Sequence, residues 1–456
     1  MSAEVVGKSV LLAGFGREGK STLKYIQNHY PNTLVSIADS NPNLEATIRG
    51  VENVYTGENY LREVKNFDTV VRSPGIPRDL PGFKEARHLT SAMNIFFSEC
   101  PGTIIGITGT KGKSTTTSLI HHILKNEFSD VRLVGNIGIP ALGFLDEAKA
   151  DTIFVTELSS YQLDDIKYSP HIAVLLAISQ EHLSYHGSMD NYVHAKSHIV
   201  DFQNLNDFVV YSRDNKYAKK IATSSLGVNI ESGSLESMPV SAWNDGEAIH
   251  IKTRSGEIQS LIELSKLSLI GKANVINTTA AVIVALLCDV KPSSIKSSIE
   301  TFIPLEHRLE PAGTYVGIKF YNDSLATTPE ATINAIEAFS NNVTTLIAGG
   351  YDRGLDYTDL GKYITKSSIR NLLLFPDTGK QIEKSVRNSD PKTTINFVSV
   401  HDMKQAVELA YELTPKGTTC IMSPAAASFN LFKDYADRGN QFKELVKEIG
   451  IKIDNT

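Results

Sequence analysis

The run Thr103-Ile104-Ile105-Gly106-Ile107-Thr108-Gly109-Thr110-Lys111-Gly112-Lys113-Ser114-Thr115 passes from a β-rich apolar segment through glycines into a helical pattern. Thr103–Ile107 predicts a strand. From about Ser114 a helix is expected, with Leu119, Ile120, Ile123 and Leu124 on one face. Glycines at 109 and 112 let the intervening backbone curl so that its N–H groups, Thr110 among them, face a phosphate, and the helix N-terminus adds its positive dipole end. Lys113 can then reach terminal phosphates, and Ser114 or Thr115 can hold a magnesium ion. The competing reading is a glycine-rich turn with a solvated lysine, and the order strand, loop, helix favours the phosphate. The loop is a shortened form, since the usual pattern has glycines five positions apart and the position five before Gly112 is Ile107. Lys111 either adds charge near the phosphates or is solvated.

On both sides of this run, short apolar segments alternate with helical patterns. Upstream, strands are expected at Ser9–Ala13, Leu34–Ala38 and Thr69–Val71, with a helix after Gly19. Downstream, they are expected at Thr152–Val155 and Ile172–Leu176. This βαβ alternation predicts an α/β fold of parallel sheets covered by helices. From about Phe208 to Leu269 the character changes, and segments such as Ala248-Ile249-His250-Ile251 around the turn Ser255-Gly256 predict antiparallel hairpins. A helix is expected over Asn274–Leu287. The pattern restarts after Pro304, with strands at Gly317–Phe320, Thr344–Ile347, Leu372–Leu374 and Thr419–Met422. Boundaries near residues 97 and 304 divide the chain into segments 1–97, 98–303 and 304–456.

A length of 456 residues calls for two or three domains. The balance of 45 basic against 51 acidic residues provides no basic field for nucleic acid or anionic lipid, so a polyanion must be bound by local geometry. Cys100, Cys288 and Cys420 are far apart and odd in number, which fits a reducing compartment rather than a disulfide framework or zinc site. The start, Met1-Ser2-Ala3-Glu4, lacks a signal-peptide pattern, and the apolar run Ala280–Cys288 is too short to span a bilayer. A cytoplasmic location is expected.

Two further sets of residues carry chemistry. Glu157 ends one expected strand and His182 follows another, so both are expected at the C-terminal edge of a parallel sheet, beside the phosphate loop. A carboxylate and an imidazole there can hold magnesium; read singly, each is a solvated surface residue. Gly14-Phe15-Gly16-Arg17-Glu18-Gly19, with Asp39 ending the next strand, matches a dinucleotide fingerprint. The same geometry can hold any diphosphate, including that of a UDP-sugar. Ser73-Pro74-Gly75-Ile76-Pro77 is a tight turn after a strand, either a simple loop or part of the same edge.

Taken in order, these segments resemble the Mur ligase family, most closely its glutamate-adding branch. The resemblance covers essentially the whole chain. It extends through Gly135-Asn136-Ile137-Gly138, Glu157-Leu158-Ser159-Ser160-Tyr161-Gln162, His186–Met189, Ala195-Lys196, Asn274, Asn277, His307–Glu310, Asn322-Asp323-Ser324, Gly349-Gly350, Ser423–Ser428 and Arg438–Phe442. It implies three domains: a Rossmann-like UDP-binding domain, a central P-loop ATPase domain and a Rossmann-like C-terminal domain. It implies that ATP phosphorylates a carboxylate and that an amine attacks the acyl phosphate. By resemblance, Lys113 and Ser114 hold ATP phosphates and Mg2+, Glu157 and His182 bind metal, and Asn274, Arg308 and Asp323 contact ATP. Lys196 stands where the family has a carbamylated lysine that orients a second magnesium. Gly14, Gly16, Asp39, Ser73 and Gly75 would bind the UDP moiety, Asn136 the muramoyl group, and Thr327, Arg353 and Ser428 the amino acid, with Ser159 and Gln162 also binding substrate. The implied partners are UDP-N-acetylmuramoyl-L-alanine and glutamate, with the chain a monomer that engages neither nucleic acid nor membrane.

The chain departs from the family at several points. Ala177 replaces an Asn, Glu181 an Asp, Ser184-Tyr185 an Asp-Arg pair and Ala273 a His. Leu325 stands where a lysine is usual, and Arg353 replaces a lysine for the glutamate side chain. Arginine binds carboxylates bidentately, so the swap is not neutral: D-glutamate is expected as the amino acid, with L-glutamate as the alternative. Other readings are a relative with a different acceptor, such as a folylpolyglutamate-type ligase, a dehydrogenase resting on Gly14–Gly19 alone, and a nucleotide-binding module without catalysis. In the ligase reading, ATP and the amino acid come from different domains and must meet, which makes Pro304–Arg308 a hinge. Small-angle scattering is expected to show compaction when an ATP analogue and the muramoyl substrate are added together; an unchanged radius of gyration contradicts the hinge.

Overall fold

The computed structural model describes residues 4–45, 48–339 and 341–454, so Met1-Ser2-Ala3 lie outside the described residues. The chain forms two compact units. One comprises Met1–Leu267 with Val275–Phe302, the other Ser268–Asn274 with Ile303–Thr456.

The first unit contains three sheets. Strands β1 (Ser9–Ala13), β2 (Leu34–Asp39), β3 (Val54–Thr56), β4 (Thr69–Arg72) and β5 (Leu89–Ser91) form a parallel sheet in the order β3-β2-β1-β4-β5. The strand order reverses between β1 and β4, and ligands of open α/β sheets bind at such a switch point. Helix Arg17–His29 packs Leu23 and Ile26 toward the core. Its approach to β1 needs Gly19, because a Cβ there would lie 2.3 Å from the Gly14 carbonyl oxygen.

The second sheet comprises β6 (Thr103–Thr108), β7 (Val131–Gly135), β8 (Ile153–Glu157), β9 (Ile172–Leu175), β10 (Phe208–Ser212) and β11 (Val228–Ser232), in the order β11-β10-β9-β6-β8-β7. All its pairings are parallel. This corrects the expectation of hairpins from Phe208 onward. Helix Lys216–Ala222 lies between β10 and β11 and makes the crossover that parallel strands require. Only β12 (Ser241–Asn244), β13 (Ala248–Lys252) and β14 (Ile258–Glu263) form the antiparallel meander.

In the second unit, β15 (Glu310–Tyr315), β16 (Ile318–Asn322), β17 (Val343–Gly350), β18 (Asn371–Asp377), β19 (Asn396–Ser399) and β20 (Thr419–Met422) are ordered β15-β16-β20-β17-β18-β19. Only β15 is antiparallel to its neighbour. It contains Pro311 and Gly313, which weaken a strand pattern and which an edge position tolerates. Alternate residues of the central strands feed two cores. Ile347, Leu373 and Met422 pack on one face; Leu346, Ala348, Leu372, Leu374 and Ile421 pack on the other. No described helix is long and apolar enough to cross a membrane.

Within the first unit, polar groups join the first two sheets. Arg72, at the end of β4, is fully buried and pairs through Nε with Asp165 Oδ2 at 2.9 Å. Asn94 donates to the Asp165 carbonyl at 3.0 Å and accepts from the Lys167 amide at 2.8 Å. Breaking a buried ion pair by removing one partner strands the other charge. Asp165→Ala is therefore expected to lower unfolding stability by about 3–5 kcal/mol, measured by urea denaturation; a change within error shows that the guanidinium is satisfied without it.

Candidate active site

Strands β9, β6 and β8 are adjacent, so the segments leaving their C-terminal ends meet. The loop after β6 is held by Thr110. Its amide donates to the Ala177 carbonyl at 2.8 Å, and its hydroxyl contacts the Ser179 carbonyl at 3.0 Å and the Tyr192 hydroxyl at 2.9 Å. Helix Lys113–Lys125 begins at Gly112, whose φ is +86°. A Cβ at Gly112 would lie 2.4 Å from Asn277 Oδ1, so both conformation and space demand glycine. Lys113 folds over its own loop, with Nζ donating to the carbonyls of Gly109 and Thr110 at 3.0 and 2.8 Å. Ser114 and Thr115 lie in the first helical turn, and Lys111 is exposed.

Lys196 lies beneath this loop and is 1% exposed. Its Nζ donates to the Gly109 carbonyl at 2.9 Å and to Thr108 Oγ1 at 3.3 Å, and it sits 4.8 Å from the centre of the Tyr192 ring. Burial, reinforced by nearby Lys113, pushes its pKa well down, against the opposing pull of Glu181 and Glu157. Glu157 ends β8 and is buried. Asn136 Nδ2 donates to its Oε1 at 2.7 Å, whereas Oε2 has no hydrogen-bond partner among the described residues. A buried carboxylate oxygen of this kind fits a hard cation. His182 follows β9 in a left-handed conformation, φ +56°, with its ring 5.1 Å from Tyr161. Desolvation lowers its pKa, and Lys113 and Lys196 add to this while Glu181 opposes, which favours the neutral, metal-binding imidazole. No group of three or more His, Cys, Asp or Glu side chains placed to hold a metal exists among the described residues.

At the first sheet's switch point, Ser73 Oγ donates to the Gly14 carbonyl at 3.1 Å, bringing the two glycine-containing turns together. Asp39 Oδ2 accepts from the Phe15 amide at 2.7 Å, so one carboxylate oxygen shapes the loop itself. Gly16 and Gly75 are exposed. Ser159 and Gln162 form a reciprocal capping box at the helix Ser160–Leu163, and the Gln162 amide nitrogen donates to Glu18 Oε1 at 3.0 Å. These two residues thus have local structural partners. Sequence reasoning missed Thr108, Tyr192 and Arg72, and noted Tyr185 only as a departure from the family; the signal available for Arg72 was a charge ending the apolar strand Thr69–Val71.

In the second unit, Asp323 and Thr327 follow β16, Arg353 follows β17 and Ser428 follows β20, whereas Asn274 and Arg308 precede β15. Asp323 is buried, accepting from Ser423 Oγ at 2.7 Å and from the Leu309 amide at 3.2 Å. Burial raises its pKa to about 7, although both hydrogen bonds and Arg308 lower it. Arg308 is half-buried, and its Nε has no hydrogen-bond partner among the described residues. Asn274 Nδ2 donates to the Ile270 carbonyl at 2.8 Å. Arg353 Nη2 donates to the Thr327 carbonyl at 2.6 Å, which unites two of the three expected amino-acid-binding residues. The Tyr351 amide bonds the Ala427 carbonyl at 2.8 Å, bringing the segment leading to Arg353 alongside that leading to buried Ser428. Arg438 ties the neighbouring turns, donating to Ser324 Oγ and to the carbonyls of Ser324 and Ala426.

Residues 107–285 match the Mur ligase middle domain, and residues 307–426 match the Mur ligase, glutamate ligase domain. The chain belongs to the Mur ligase family. It is 33% identical over 466 residues to the UDP-N-acetylmuramoylalanine–D-glutamate ligase of Acetivibrio thermocellus, covering 98% of this chain and 97% of the relative. It is 34% identical over 460 residues to the enzyme of the same name from Ruminiclostridium cellulolyticum, covering 98% of each. Among solved structures, the MurF ligase of Thermotoga maritima in complex with ADP aligns with a TM-score of 0.60 at 15% identity, covering 97% of this chain and 95% of that one. The UDP-N-acetylmuramate–alanine ligase MurC of the same organism aligns with a TM-score of 0.57 at 18% identity, covering 97% and 99%. These structures share the fold.

The raised pKa of Asp323 has a consequence for stability. Its folded value of about 7 exceeds the ordinary 3.8, so the folded state binds the proton more tightly. The resulting stabilisation is complete below the unfolded pKa and is lost as pH rises through 7. The melting temperature of the parent relative to Asp323→Asn is expected to fall between pH 4 and 8; a constant difference means that folding leaves the Asp323 pKa unshifted.

Proposed function

We propose that the protein is an ATP-dependent ligase that joins D-glutamate to UDP-N-acetylmuramoyl-L-alanine in peptidoglycan precursor synthesis. The observation that carries the reading is the buried pair of Lys196 and Glu157 at the phosphate loop, in a chain whose relatives bear that activity along their full length. The proposed organisation assigns residues 1–97 to the UDP moiety, 98–303 to ATP and 304–456 to the amino acid, in a cytoplasmic monomer.

ATP phosphates would lie on the amides of Lys111–Thr115, with Lys113 leaving its own loop carbonyls to meet them; the Thr110 amide, expected from the sequence to face a phosphate, is instead held by the Ala177 carbonyl. The substrate's alanine carboxylate attacks the γ-phosphorus, and ADP departs. The amine of glutamate then attacks the acyl phosphate and phosphate leaves, completing the amide. Glu157, through its unpartnered oxygen, with His182 and Ser114, would hold Mg2+. The ion supplies charge neutralisation on the phosphates. The depressed pKa of Lys196 favours the neutral amine that carbamylation requires, and the carbamate would place an anion at that buried position. Arg308, Asn274 and Asp323 are assigned to ATP, and Asn136 to the muramoyl group. Arg353 presents a guanidinium already oriented by Thr327, and with Ser428 it would take the carboxylate of glutamate. A second reading, L-glutamate as the amino acid, is favoured by Arg353 and Leu325 standing where the glutamate branch usually has lysines.

Phosphate release from ATP is the test, with magnesium, UDP-N-acetylmuramoyl-L-alanine and each glutamate enantiomer supplied separately. Release that depends on D-glutamate is expected, and Lys113→Ala is expected to abolish it. Release only with L-glutamate selects the second reading, and none with either enantiomer despite ATP binding removes both. Retained turnover in Lys113→Ala overturns the assignment of the phosphate loop.

A further inference from the structure

We infer that Tyr185, acting with the buried Arg72, is a positioning residue that orients the turn Ser73–Pro77 toward the diphosphate of the UDP-bearing substrate. The inference rests on the reading of that turn as part of the substrate site.

Arg72 spreads its guanidinium over four segments of the chain. Nε engages Asp165, and Nη2 donates to the Tyr161 carbonyl at 3.3 Å. Nη1 faces the Ile76 carbonyl at 2.6 Å, the Pro74 carbonyl at 3.4 Å and the Tyr185 hydroxyl at 3.2 Å. The Tyr185 oxygen itself lies 3.4 Å from the Pro74 carbonyl oxygen and 3.5 Å from that of Ile76. The phenol therefore accepts from the guanidinium and donates back to the turn. Its ring is fixed edge-on against Tyr161, with centroids 4.5 Å apart, and lies 4.8 Å from His186.

The consequence follows from peptide geometry. The Pro74 carbonyl and the Gly75 N–H belong to one trans peptide, so they point in opposite directions. Holding the Pro74 carbonyl on Arg72 and Tyr185 aims the Gly75 N–H away from them, and Gly75 is exposed. Ser73 on the same turn is bonded to Gly14, at the sheet's switch point. An outward amide at that position suits a phosphate oxygen. Tyr185 also lies in the helix Leu183–His186, directly after His182, and Tyr161 touches both rings. The turn and the metal-binding histidine thus share one set of contacts. The family's usual Asp-Arg pair is absent at 184–185, and Tyr185 fills the place with a neutral group that suits the neighbouring Arg72.

Tyr185→Phe keeps the ring contacts and removes only the hydroxyl. Its dissociation constant for UDP-N-acetylmuramoyl-L-alanine, measured calorimetrically without ATP, is expected to rise about three- to tenfold, the effect of one net hydrogen bond. KM for this substrate should rise in parallel, with kcat and KM for ATP within about twofold of the parent. An unchanged dissociation constant, or a loss confined to kcat, overturns the inference. A parent protein that fails to bind the UDP substrate refutes the underlying reading of the turn, whereas a parent that binds alongside an equally tight Tyr185→Phe refutes the role of Tyr185 alone.

Discussion

The parallel packing of β6 between β8 and β9 is the constraint on which the first unit's chemistry depends. Parallel strands deliver every chain exit to one edge of the sheet. Three successive exits there carry the phosphate loop, Glu157 and the segment bearing His182. A one-residue shift in the register of β8 would turn Glu157 to the opposite face. The register is pinned because Ile104, Ile105, Ile107, Phe154 and Val155 are buried at positions that such a shift would exchange between the two faces of the sheet.

Burial of charge is the second theme. Lys196, Glu157, Arg72 and Asp323 are all removed from water, and each is held by a small number of directed contacts. Such groups are costly to leave incompletely satisfied. Among the described residues, one Glu157 oxygen has no hydrogen-bond partner, and Lys196 meets two neutral oxygens and the Tyr192 ring. Arg72, by contrast, is extensively paired and acts as a structural junction.

The strand, glycine loop and helix from Thr103 to Lys125 were legible because their signal is local: strand, glycines, lysine and helix are contiguous. Glu157 and His182 were legible because their positions at strand ends follow from βαβ order. The parallel pairing of Phe208–Ser212 with Val228–Ser232 was not, since apolar strands of that length look alike whether they end in a turn or a crossover. Ser159 and Gln162 carried a functional expectation by resemblance, yet their nearest partners are each other and Glu18. Asp39 likewise spends one oxygen on the Phe15 amide.

The sequence by itself determined the α/β class, the position of the phosphate loop and the family resemblance, since each is encoded in short-range spacing and in the order of motifs. Tertiary structure alone decided which buried groups meet. Arg72 reaches Asp165 and Tyr185 across 93 and 113 residues, and Lys196 reaches Gly109 across 87. No local periodicity specifies such contacts. They arise because closing parallel sheets around apolar cores brings distant loops to a common edge, where unpaired polar groups must find partners.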